Sequence, residues 1–163
     1  MATVNEILED LHVVNAFNSS FVAANEDIFN GSPASDVLDM SGHQAALCII
    51  HESAGGTGTA TITVESCDDT TPTTSTAVAF KYRTCTSGDT WGAWTAATAS
   101  GFTTSATANS MYQILITADG LSGSNKFVRF KCTEVDSTAV DGGMIVIMLG
   151  ARYKQSVQGT VLT

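Results

Sequence analysis

The chain has three histidines, four cysteines and sixteen acidic residues with which to do chemistry. Proton-transfer catalysis needs a base held within hydrogen-bond reach of the group it serves. His51 beside Glu52 is the one histidine next to an acid. Neighbours on a strand point to opposite faces, so these two cannot act together. His12 and His43 have no partner at ligand spacing. No nucleophile–base pair emerges either, so the chain is read as a non-enzyme without metal or organic cofactor. Cys48, Cys67, Cys85 and Cys132 never form Cys-x-x-Cys, which argues against a zinc or redox motif. They are read as reduced thiols acting as small apolar core residues, Cys48 and Cys132 the most buried and the other two near loops.

Cys67-Asp68-Asp69 and the segment 136–141 could offer oxygen ligands, but lack the alternating acids and terminal Glu of a calcium loop. They read as solvated loop acids. Trp91 and Trp94 are the remaining candidates. Paired aromatics on a loop can stack on sugar rings, which would make a carbohydrate-binding module. The three-residue spacing through Gly-Ala also suits a turn that buries one Trp as a lid over the end of the fold.

The elements that would position these residues are mostly strands. In Phe127–Val135, residues Val128, Phe130 and Cys132 share one face while Arg129, Lys131 and Thr133 share the other. Met144–Leu149 is apolar on both faces and too short to span a membrane, so it predicts a strand covered on both sides. The two read as a hairpin at the centre of a sheet. Ala45–Ile50 is a second apolar run and a further central strand. Ala60, Ile62 and Val64 alternate with threonines, Val78, Phe80 and Tyr82 alternate with Lys81 and Arg83, and Tyr112, Ile114 and Ile116 alternate with Gln113 and Thr117. Gly-, Asp- and Ser-rich turns separate them.

Ahead of the strands, Thr3 and Glu6 have capping-box spacing, and Val4, Ile7, Leu8, Leu11 and Val14 recur at helical spacing. Residues 4–16 therefore predict an amphipathic helix, packed on its own domain or docked on a partner. Its stripe, Val4, Ile7, Leu8 and Leu11, is the candidate contact surface. Residues 18–42 read as an extended segment anchored by the pairs Phe21-Val22, Ile28-Phe29 and Val37-Leu38. The predicted organisation is an N-terminal helix and arm (1–43), a β-sandwich domain (44–153) and a C-terminal tail (154–163) lying along the surface or reaching a neighbour. The fold class is all-β, an antiparallel β-sandwich of seven or eight strands, jelly-roll-like because the tryptophans lie outside an immunoglobulin Cys–Trp–Cys arrangement.

The 163 residues suit one domain. A net charge of −9, with seven scattered basic residues, excludes a phosphate-binding surface and hence a nucleic-acid partner. No signal core or membrane-length apolar run is expected to direct export or insertion. Charged residues make up only 14% of the chain. The outer strand faces should therefore be solvated by hydroxyls.

Taken in order, Val64–Asp69, Ser75–Arg83, Gly88–Trp94, Met111–Thr117, Phe127–Cys132 and Gly143–Tyr153 resemble small structural proteins encoded near the major capsid gene of tailed bacteriophages. The resemblance covers roughly residues 44–153 in pattern order. It implies a capsid decoration, or cement, protein, made in the host cytoplasm and bound to the outer surface of the virion shell. Such a protein bridges major capsid subunits as a homo-oligomer, with a trimer expected. The rivals are another virion part, tail- or fibre-associated, and the carbohydrate-binding module centred on Trp91 and Trp94.

Overall fold

The computed structural model describes residues 9–17, 27–53, 56–107, 109–153 and 161–162. They form an all-β protein in which two antiparallel sheets pack face to face. The strands are β1 (Leu11–Val14), β2 (Leu38–Asp39), β3 (His43–Glu52), β4 (Thr59–Cys67), β5 (Ser75–Val78) and β6 (Phe80–Ser87). They continue as β7 (Thr90–Trp91), β8 (Thr95–Ala97), β9 (Phe102–Thr103), β10 (Met111–Thr117), β11 (Phe127–Asp136) and β12 (Gly142–Ala151). Sheet 1 has the order β1-β12-β3-β10-β6-β7, with β8 also on β6, and sheet 2 the order β2-β11-β4-β5, with β9 also on β4.

Strand alternation builds the core. Cys48 and Ile50 (β3), Tyr112, Ile114 and Ile116 (β10), and Met144, Val146 and Met148 (β12) point inward from sheet 1. Ala60, Ile62 and Val64 (β4) and Val128, Phe130 and Cys132 (β11) meet them from sheet 2. The β9 residue Phe102 reaches across. Its ring stacks on Tyr82 at 3.9 Å and tilts against Phe80 and Tyr112. None of the four cysteines is in a disulfide and all are buried, Cys67 and Cys85 as deeply as Cys48 and Cys132.

Several sequence expectations are corrected. Residues 9 and 10 are helical, but Leu11–Val14 is strand β1, paired antiparallel with β12 from Leu11↔Leu149 to Val14↔Val146. The β-branched Val13-Val14 suits a strand, and the ladder offered by β12 outweighs the local helical stripe. Leu11 is therefore a strand residue, while Val4, Ile7 and Leu8 lie outside the described residues. The predicted β11–β12 hairpin does not form either. Each is an interior strand of a different sheet, and residues 137–141 cross between the sheets. Likewise Val78–Tyr82 is not one strand: β5 pairs with β4 in sheet 2 and β6 with β10 in sheet 1, the chain changing sheets at Ala79.

The irregular segment is anchored by hydrogen bonds as well as by apolar side chains. Ile28, Phe29, Val37 and Leu38 are buried, whereas Phe21-Val22 lies outside the described residues. Pro33–Ser35 runs beside β11, where Ser35 N–H donates to the Phe130 carbonyl and Phe130 N–H donates to Ser35 Oγ. Of the predicted tail, Val161 is buried and Leu162 bridges to Leu38 in β2. The end of the tail thus packs into the body instead of lying on the surface.

Candidate functional site: the outer face of sheet 1

The two sheets turn different faces outward. On sheet 2 the outward register pairs Arg129 with Glu65, Lys131 with Thr63 and Thr133 with Thr61. Glu65 accepts from Arg129 Nε at 3.0 Å, forms an ion pair with the same guanidinium and lies 3.9 Å from Lys131 Nζ. The Thr61 and Thr103 hydroxyls bond to each other at 3.2 Å. This is the hydroxyl-rich, solvated surface that the threonine alternation predicts.

Sheet 1 is the opposite. One continuous cross-strand row runs Val13–Ile147–Leu47–Leu115–Lys81 over five strands. Beside it lie the rows Ile145–Ile49–Gln113–Arg83 and Leu11–Leu149–Ala45–Thr117. These three rows contain no carboxylate, in a chain with sixteen acidic residues. Their only charged groups are Lys81 and Arg83, both on β6. Val13 is 62% exposed and Ile145 is 42% exposed. The run Met144–Leu149 predicts a strand covered on both faces, yet among the described residues only its inner face is covered. At the β6 edge this surface adjoins an apolar depression of about 350 Å³ lined by Leu115, Lys81 and Ala96 among others. An apolar sheet face this wide is unusual on a protein that stays alone in water.

Trp91 and Trp94 border the same face, and neither is the buried lid that their spacing suggested. Trp91 is half-buried in β7, opposite Cys85, and Trp94 is 41% exposed. The Arg83 guanidinium lies over both rings, at 4.9 and 4.7 Å from their centres, and its Nε donates to Gln113 at 2.8 Å. The cation thus occupies one face of each ring, where a sugar would otherwise stack.

The histidines and acids fall into separate places. His51 is exposed and Glu52 buried, on opposite faces of β3 as strand geometry demands. His12 and His43, 31 residues apart in sequence, are brought together with ring centres 6.2 Å apart. His43 is 5% exposed, and neither of its ring nitrogens has a hydrogen-bond partner. Burial, and then the neighbouring His12, hold its pKa below 6.5 against the pull of Asp39. The neutral form is the one stabilised, so His43 contributes stability above pH 6.5 that is lost as pH falls. At neutral pH, His43→Phe should cost nothing or gain about 1 kcal/mol, because it removes buried unpaired nitrogens. In acid the variant should lose less stability than the parent. Denaturant unfolding at pH 5 and 7 checks both expectations.

Glu52 is 2% exposed and ends β3 among hydroxyls. Tyr112 donates to Glu52 Oε2 at 3.5 Å and accepts from the Ser105 N–H at 2.7 Å, while Glu52 Oε1 has no hydrogen-bond partner. Burial raises the carboxyl pKa from 4.5 to about 7, the Thr104 and Tyr112 hydroxyls opposing it. The candidate calcium loops turn their acids on themselves. Asp68 accepts from the Asp69 and Thr74 N–H groups and the Thr73 hydroxyl, and Asp136 from both the N–H and hydroxyl of Thr138. Among the described residues no three His, Cys, Asp or Glu side chains are grouped to hold a metal ion. Nor, among them, is any helix long and apolar enough to cross a membrane.

Compared with family models, with curated proteins and with solved structures, the chain matches none.

Proposed function

We propose that this is a structural assembly protein whose attachment surface is the outer face of sheet 1, and that the assembly is the capsid of a tailed bacteriophage. The observation that carries the reading is the contrast between the two sheets. One outer face is finished in threonine and ion pairs, the other in a carboxylate-free field of Leu, Ile and Val. Water has no use for the second, whereas a packed partner does. The phage assignment comes from the resemblance of the ordered segments to decoration proteins, with the major capsid protein as partner. The jelly-roll-like reading belongs with it, supported by the way β9, β10, β11 and β12 alternate between the sheets.

The test is to add the purified chain to expanded, undecorated shells and to examine both sedimentation and a density map. Extra density on the outer shell surface is expected. A chain that stays in the supernatant at micromolar concentration would remove the capsid reading. Binding to a tail or fibre component instead would move the protein to another part of the virion.

A further inference from the structure

We infer that the outer face of sheet 1 is covered by the same face of a second copy of this chain, the two related by a twofold axis parallel to the strands over β3. The inference rests on reading this face as an assembly surface and names a second copy as what covers it while the chain is free of a shell. Three observations lead to it.

The first is extent. Five strands about 4.8 Å apart and three or four rows give roughly 600 Å² per copy, hence about 1,200 Å² in a pair, the lower end of stable interfaces. The second is symmetry of content. In the order β1-β12-β3-β10-β6, β3 is central. A strand-parallel twofold axis over it keeps each row level with itself. Leu47 then meets Leu47, Ile147 meets Leu115, and Val13 meets the aliphatic stem of Lys81. Sheets pack this way about 10 Å apart with a modest twist between them.

The third is charge. The face is charged only along β6, at Lys81 and Arg83, while its opposite edge, β1, offers Leu11 and Val13. The twofold axis lays the charged edge of each copy at the rim, over the apolar β1 edge of the other. It also keeps the two β6 edges roughly 20 Å apart, well beyond the screening length of about 8 Å. An axis perpendicular to the strands would stack β6 on β6 and oppose like charges.

The full chain should be a dimer by light scattering at about 100 μM. Leu47→Asp with Ile145→Asp changes two outward side chains, the first facing its own copy across the axis, and leaves the inner core alone. This variant should retain the parent far-ultraviolet spectrum while its dimer dissociation constant rises about 100-fold or more, because each unpaired carboxylate would be buried at the contact. Charge reversal tests the geometry separately. Val13→Glu should tighten the dimer by facing Lys81 of the other copy, and adding Lys81→Glu should reverse the gain and weaken it. A parent chain that is monomeric at 100 μM overturns the inference. So does a chain that dimerises only after residues 1–8 are deleted, since its own N-terminal stripe would then cover the face. Shell binding, assayed apart, separates failure of the dimer from failure of the capsid reading: a monomer that decorates shells sinks only the dimer.

Discussion

Gly101→Ala is expected to destabilise the fold by about 3 kcal/mol or more. Gly101 sits at φ +78°, and a Cβ there would lie 2.0 Å from the Ile62 carbonyl oxygen and 2.9 Å from Thr63 Cγ2. The left-handed conformation alone costs a non-glycine residue about 1–2 kcal/mol. The collision adds more, because neither the β4 backbone nor the turn closed by Gly101 N–H to Thr98 O can yield cheaply. What gives way is β9, whose Phe102 pairs with Ile62 and stacks on Tyr82 across the sandwich. Gly88→Ala is the control. Gly88 has φ +60° with nothing near its absent Cβ, so only the conformational cost, about 1 kcal/mol, should appear. Urea unfolding of both variants gives the difference, and equal losses would show that the close approach to Ile62 carries no energy.

The parent should also lose about 3 kcal/mol of stability between pH 4.5 and 7, through Glu52 alone. Its folded pKa, about 7, lies above the ordinary 4.5, so the protein holds a proton that the unfolded chain releases. That contribution is complete below pH 4.5, shrinks as pH rises and is gone above 7, at about 1.4 kcal/mol for each pH unit. Glu52→Gln keeps the shape and removes the titration, so the variant should gain on the parent by this amount across the window. His43 runs in the opposite sense over the acid part of the range, so the parent-minus-variant difference, not the raw profile, is the quantity to measure. A difference that stays flat from pH 4.5 to 8 would mean that Glu52 is solvated in the folded protein.

The interior of both sheets could be read from alternation, because β3, β4, β10 and β11 each bury three successive alternate apolar residues on one face. Short elements could not. In Leu11–Val14, four residues fit both a helical stripe and a strand, and the deciding partner, β12, lies more than 130 residues away. The interval after Val135 has the turn residues of a hairpin, but the same few residues also span the gap between two packed sheets. Nothing local distinguishes the two. The apolar outer face was legible in part, since Met144–Leu149 is apolar on both sides, but only the register shows that Leu47, Ile49, Leu115 and Val13 extend it into a field. Arg83 between the tryptophans and the meeting of His12 with His43 depend on strand order, and no spacing rule reports strand order.

The loop from Asp68 to Thr74 belongs to the solvated sheet and has its ends tied together, Asp68 receiving hydrogen bonds from Thr73 and Thr74. A foreign peptide spliced between Thr71 and Pro72 would meet a closed, exposed base and no core side chain. It would also lie on the sheet opposite the apolar face. An array of such chains, each seated on its apolar side, would carry every inserted epitope pointing away from the support, so the sidedness of one sandwich becomes the orientation of a displayed coat.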